Sequence, residues 1–156
     1  MADRIDLRDV SGCACLRARR IARELTRAYD QALAPAALTV NQFGLLAKLS
    51  GVSQGGRTGV RIGALAERVG MHPTTLNRDL KPLYAQGLVA DAVDAGDRRA
   101  RALVITRKGG ARLRKAIPFW RRAQARLEGA LGAELARALT DLLDSASTKL
   151  QSEGPP

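Results

Sequence analysis

Two short stretches gather side chains able to hold a hydrogen-bonding or anionic partner. The first, "HPTTLNRDLK", carries Thr74, Thr75, Asn77, Arg78 and Lys81. The second, "DAGDRRARALVIT", crowds Asp94, Asp97, Arg98, Arg99 and Arg101 into one charged turn and then closes on an apolar run. The chemistry that these residue types offer is recognition of nucleic acid. An arginine guanidinium bonds guanine bidentately, an asparagine amide does the same with adenine, and a threonine takes a phosphate or touches a thymine methyl. A solvated loop would explain the charges of the second stretch but not its apolar end. An ordinary amphipathic surface helix would serve the first.

The elements around these residues decide between the readings. Leu76, Leu80 and Leu83 stand at i, i+4 and i+7, so they face one way. At about 100° per residue, Thr74, Arg78 and Lys81 point the opposite way, with Thr75 and Asn77 beside them. His72 is a candidate N-cap, Pro73 suits the first helical position and Gly87 suits the C′ position. The N-terminus of this helix adds free N–H groups for a phosphate. Pro82 removes the bond back to Arg78 and predicts a kink. Upstream, "VRIGALAERVG" predicts an extended stub over residues 60–62 and a short helix with Leu65 and Val69 inward, stopped by Gly70. Downstream, "LVADAV" and "ARALVIT" flank a turn containing Gly96 and read as a hairpin.

Longer helices flank this centre. Residues 10–33 predict a helix with Ala18, Ile21, Ala22, Leu25, Ala28, Tyr29, Ala32 and Leu33 along one stripe, ended by Pro35. Thr39 with Gln42 makes a capping-box pattern. It opens a short helix over residues 40–49, with Phe43, Leu46 and Leu49 on one side. "SGVSQGGRTG" reads as a loop by composition. Residues 107–128 predict a long basic helix bent at Pro118, and Gly129 and Gly132 mark a break. Leu131, Leu135, Leu139, Leu142, Ala146 and Leu150 then line a final helix, and "EGPP" reads as a frayed tail.

Composition agrees. The chain has 156 residues with 46% hydrophobic and only 3% aromatic residues, so alanine and leucine must fill the core, which favours packed helices. The net charge is +11 and unevenly placed: residues 57–126 alone carry +11, against +3 before them and −3 after. Such a field attracts polyanions, nucleic acid first and an acidic membrane second. No run approaches the ~18 apolar residues of a membrane span. The first ten residues mix charges without an apolar core, so a secretory signal is not expected and the cytoplasm is the expected location.

Two short helices joined by a tight turn, the second leading into a hairpin, describe a winged helix-turn-helix. The run from "IGALAERVG" through "TTLNRDLKPL" and "GLV" to "DAGDRR" and "LVITRKG" resembles the winged-helix core of the MarR family of bacterial transcriptional regulators, and the resemblance covers nearly the whole chain. It implies a mainly α fold with a small β-hairpin wing, flanked by long dimerisation helices. The expected organisation is an N-terminal dimerisation helix (1–36), a DNA-binding domain (37–108), C-terminal dimerisation helices (109–152) and a disordered tail (153–156). The resemblance further implies a homodimer on a pseudo-palindromic operator, acting as a repressor released by a ligand or by oxidation. By position, Thr74, Thr75, Asn77, Arg78 and Lys81 match the recognition helix. Arg99 matches the wing residue that enters the minor groove, and Asp97 the residue that orients its arginines. Arg98 and Arg101 are added phosphate candidates. The residues themselves support self-pairing, because one short chain offers little to cover the stripes of its terminal helices.

Other chemistry is weaker. Cys13 and Cys15 in "GCACLRARR" invite a redox-responsive alternative. An internal disulfide is not expected, because i and i+2 diverge by about 200° on a helix; packing competes as a role for both. An anionic or aromatic effector could be held by Arg17, Arg20 and Arg23, with Tyr29 or Trp120 lining its pocket. His72 is the only histidine, so a zinc site of four clustered ligands is not expected, nor is any other cofactor. No nucleophile–base pair or phosphate-cradling glycine loop points to an enzyme. A non-specific architectural protein remains the alternative within nucleic-acid binding.

Overall fold

The computed structural model describes residues 12–54, 59–93 and 101–152, apart from the side chains of Gln54 and Arg101. In chain order these form α1 (Ala14–Leu33), a 3₁₀ turn (Ala34–Ala36), α2 (Val40–Gln54), α3 (Ile62–Val69), α4 (Pro73–Ala85), β1 (Val89–Val93), β2 (Arg101–Ile105), α5 (Arg107–Leu131) and α6 (Ala133–Ser152). This is the mainly α fold with a hairpin that the sequence predicts.

The core is built of leucine. Leu33, Leu45, Leu46, Leu49, Leu65, Leu76, Leu80, Leu83, Leu88 and Leu103 are its largest fully buried side chains. Phe43 and Trp120 stack at its margin with ring centroids 5.9 Å apart. The inward face of α4 is Leu76, Leu80 and Leu83, as its spacing predicts. Burying each leucine is worth about 1.5–3 kcal/mol, whereas an interior proline costs about 3 kcal/mol. The leucines outweigh Pro82, and α4 runs on through it to Ala85.

The starts of α2 and α4 follow their capping chemistry. Thr39 and Gln42 form the reciprocal box: the Thr39 N–H donates to Gln42 Oε1 at 3.1 Å and the Gln42 N–H to Thr39 Oγ1 at 3.2 Å. Asp30 adds its carboxylate to the Val40 N–H at 2.6 Å. His72 caps α4, its Nδ1 accepting from the Thr74 N–H at 3.3 Å. Helix ends differ from expectation in two places. The second helix passes Leu49 and Gly51 to Gln54, because Val52 continues the packed face. Helix α5 passes Gly129 and stops at Leu131, where Gly132 caps it by donating its N–H to the Glu128 carbonyl. A solvent-facing glycine inside a helix costs only about 1 kcal/mol, which a long packed helix absorbs. At the start of the chain, α1 begins at Ala14 with Cys13 as its N-cap residue. The predicted stub at residues 60–62 reduces to one bridge, Val60 to Leu103, and Ile62 already belongs to α3.

The hairpin is antiparallel, pairing Val89 with Ile105 through to Val93 with Arg101. Its base is bolted to α5. The Thr106 hydroxyl donates to the Gly87 carbonyl at 2.8 Å and accepts from the Gly109 N–H at 3.0 Å. A Cβ on Gly109 would stand 2.0 Å from the Leu88 carbonyl oxygen, so only glycine allows this approach. At the far end, α6 has no buried residue, and Leu135, Leu142, Leu143 and Leu150 are all exposed.

Candidate nucleic-acid interface

The outward face of α4 is the face that the wheel predicts. Thr74, Asn77, Arg78 and Lys81 are exposed, and Thr75 is half-buried at its margin. Arg78 leaves 78% of its side chain in solvent, with Nε 4.0 Å from Asp79 Oδ1. Asp79 is itself held, since Asn41 Nδ2 donates to its Oδ2 at 3.1 Å. The cation is thus steadied at its base and free to extend. Beneath it, Tyr84 donates its hydroxyl to Asp91 of β1 and ties the helix to the base of the hairpin.

The hairpin follows this helix directly in the chain, β1 starting at Val89. Register pairs Val93 with Arg101, so residues 94–100 form the connection. Asp97, Arg98 and Arg99, with Asp94 and Gly96, lie outside the described residues, as does the side chain of Arg101.

A second cationic surface lies on α5. Arg107, Lys108, Arg114, Lys115, Arg121 and Arg122 are all exposed. At about 100° per residue they fall within one arc, opposite the buried Gly109, Leu113, Ala116 and Ala123. Glu128 is the only acid in the helix. The one-sidedness is legible in the sequence as pairs of bases recurring every seven residues.

The proposed effector residues divide. Tyr29 and Trp120 do meet, lining a cavity of about 300 Å³ with Leu25, Thr26 and Val40. Tyr29 donates its hydroxyl to Gln124 Oε1 at 2.6 Å. Burial, with the Glu128 carboxylate as the lesser cause, raises its phenol above the usual 10.0. The arginines are not with it. Arg23 borders a separate, open groove with Arg19, Thr26, Arg27 and Asp30, and Arg17 and Arg20 border neither cavity. The reason is helical geometry: Arg17, Arg20 and Arg23 lie about 120–180° around α1 from Tyr29. Arg19 and Arg27, one turn to either side of Arg23, share its groove, a grouping that the apolar stripe of α1 does not signal.

Cys13 and Cys15 are free thiols, the first half-buried and the second exposed. Cys13 stands at the N-cap with ψ 115°, outside the helix, so the divergence expected for two helical positions does not apply to it. Among the described residues no group of three or more histidine, cysteine or acidic side chains could hold a metal, and no helix is long and apolar enough to cross a membrane.

No family model matches the sequence, and comparison with curated proteins gives no match. Solved structures do match. The transcriptional regulator MosR of Mycobacterium tuberculosis, solved in complex with DNA, is 38% identical over 87% of this chain and 97% of its own, with a TM-score of 0.70. The transcriptional repressor CouR, bound to a 23-mer DNA duplex, is 24% identical over 93% of this chain and 99% of its own, with a TM-score of 0.75. CouR of Rhodococcus jostii has also been solved with p-coumaroyl-CoA. A MarR-family transcriptional regulator from a Rhodococcus species is 21% identical over 92% of this chain and 97% of its own, with a TM-score of 0.71. The last two share the fold. The identity with MosR across nearly all of that protein, on the same winged helix-turn-helix, places this chain in the MarR family of transcriptional regulators.

Proposed function

We propose that the protein is a homodimeric, sequence-specific DNA-binding repressor. The observation that carries this is the α4 face, where Thr74, Asn77, Arg78 and Lys81 stand exposed over a buried leucine spine, on a helix capped by His72. Thr75 borders the same face. In this reading Asn77 and Arg78 bond base edges in the major groove, Thr74, Thr75 and Lys81 grip phosphate, and Arg99 enters the minor groove. Asp97 orients the wing arginines, and Arg98 and Arg101 hold backbone. Residues 37–108 serve as the reading domain, and residues 1–36 and 109–152 pair two copies. Two readers about 34–36 Å apart then meet successive turns of a pseudo-palindromic operator. The protein acts in the cytoplasm and catalyses no reaction. MosR and CouR, both solved on DNA, support the reading.

Release by a small effector belongs to the same proposal. The cavity between Tyr29 and Trp120 lies where α1 and α5 meet the start of α2, so a ligand there would shift the reading domain against the dimer helices. Its aromatic walls and modest size suit a small aromatic molecule.

Selection of bound fragments from random DNA, followed by fluorescence titration against unrelated competitor, tests the proposal. The expected result is an inverted-repeat motif bound at least ~10³-fold better than competitor, with Arg99→Ala weakening that binding while the dimer stays folded. A smaller ratio with no motif would return the architectural alternative.

A further inference from the structure

The C-terminal end of α4 is tied to the helices that pair the subunits. Arg112, half-buried on the first turns of α5, donates from Nη1 to the Ala36 carbonyl at 3.1 Å and to Gln86 Oε1 at 3.3 Å. Ala36 closes the turn that leads the chain out of α1, and Ala37 beyond it is held at φ 52°. Gln86 is the C-cap residue of α4. One guanidinium therefore joins the exit of the first dimer helix, the start of the second, and the end of the reading helix. Leu76, Leu80 and Leu83 hold α4 by apolar contact, which is non-directional, and its directional ties from Asn41 to Asp79 and from Tyr84 to Asp91 run to α2 and β1, not to the dimer helices. Hydrogen bonds from a charged donor are directional and roughly twice as strong as neutral ones.

We infer that Arg112 is a positioning residue that sets the angle of α4 on the dimer helices, and through it the half-site spacing the dimer accepts. This rests on the DNA-binding reading above. The pivot is at the C-terminal end of α4, whose 13 residues place its N-terminal, reading end about 18 Å away. A tilt of roughly 10° at the joint moves that end by about 3 Å, close to the ~3.4 Å rise of one base pair. A loose joint would let one dimer fit neighbouring spacings; a tight one selects among them.

The experiment uses duplexes carrying the two half-sites of the motif selected by wild-type protein, at the native spacing and one base pair shorter and longer. Wild type, Arg112→Met, Arg112→Lys and Gln86→Leu are titrated on each. Arg112→Met keeps the apolar stem and removes both donors. The ratio of Kd between shifted and native spacing is expected to fall at least about fivefold in Arg112→Met and in Gln86→Leu. Arg112→Lys falls between, since an ammonium reaches one of the two acceptors. An undiminished ratio in both variants overturns the inference even if affinity drops, because a merely structural loss weakens every spacing alike. Gln86→Leu carries the test should Arg112→Met fail to fold. A wild type that selects a motif but ignores spacing also overturns it. A wild type that selects no motif removes the DNA-binding reading, and this inference with it.

Discussion

Arg78 and Asn77 are where specificity should be measurable, because neither supports the fold. Both are exposed, and Arg78 stands 4.0 Å from Asp79. Replacing either with alanine should therefore leave the melting temperature nearly unchanged. It should also relax the base preference at one position of each half-site, with a loss of about 1–3 kcal/mol against the preferred base. Repeating the binding-site selection with each variant checks this; an unaltered motif would mean that bases are read elsewhere. Tyr29 gives a second residue-scale expectation. Its raised phenol pKa means that the folded state holds this proton more tightly than the unfolded chain, so the stabilising effect is present below the ordinary value of 10.0 and is lost as pH rises through the folded value. Tyr29→Phe loses the bond to Gln124 at every pH, so in urea melts between pH 8 and about 11 the gap from wild type should be constant at first and change only at the alkaline end, with wild type losing stability faster.

At the scale of elements, the joint between hairpin and α5 decides whether the wing is held. Gly109→Ala drives a methyl into the Leu88 carbonyl, and such overpacking costs about 1–3 kcal/mol. Chemical denaturation should show that loss, and operator affinity should drop with it if β1 is displaced. This joint was not legible beforehand: "TRKGG" gives no sign of which glycine meets a backbone carbonyl across the fold. Patterns that act within one element were legible. The leucine spine of α4, the capping box at Thr39 and Gln42, and the hairpin all follow from local spacing. Patterns that depend on packing were not. Gly51 and Gly129 look like breaks yet sit inside helices, because flanking apolar residues find partners. The arginines of α1 were assigned to the Tyr29 cavity although they lie on other faces. Arg112 reads in sequence as one more base of a basic helix, and its partners come from distant segments.

For the whole molecule, the final helix is the clearest sign of an incomplete assembly. Leu142 and Leu150 are about 70% exposed in the single chain, at 69% and 70%, and nothing on α6 is buried. Pairing two copies would cover this surface, whereas burying the cationic arc of α5 against its own two-fold image would set like charges together. Leu142→Asp with Leu150→Asp should give monomers by analytical ultracentrifugation and should lower operator affinity by at least about tenfold, since one reader then binds alone. A last consequence follows from the way α4 is built. Its leucines are fixed by the core, whereas Thr74, Asn77, Arg78 and Lys81 on the outward side are exposed. Mutations on the outward face therefore carry almost no folding penalty, so descendants of one ancestral chain can drift toward new target sequences while the scaffold stays under constant selection. A lineage built this way can diversify its regulatory targets faster than its architecture.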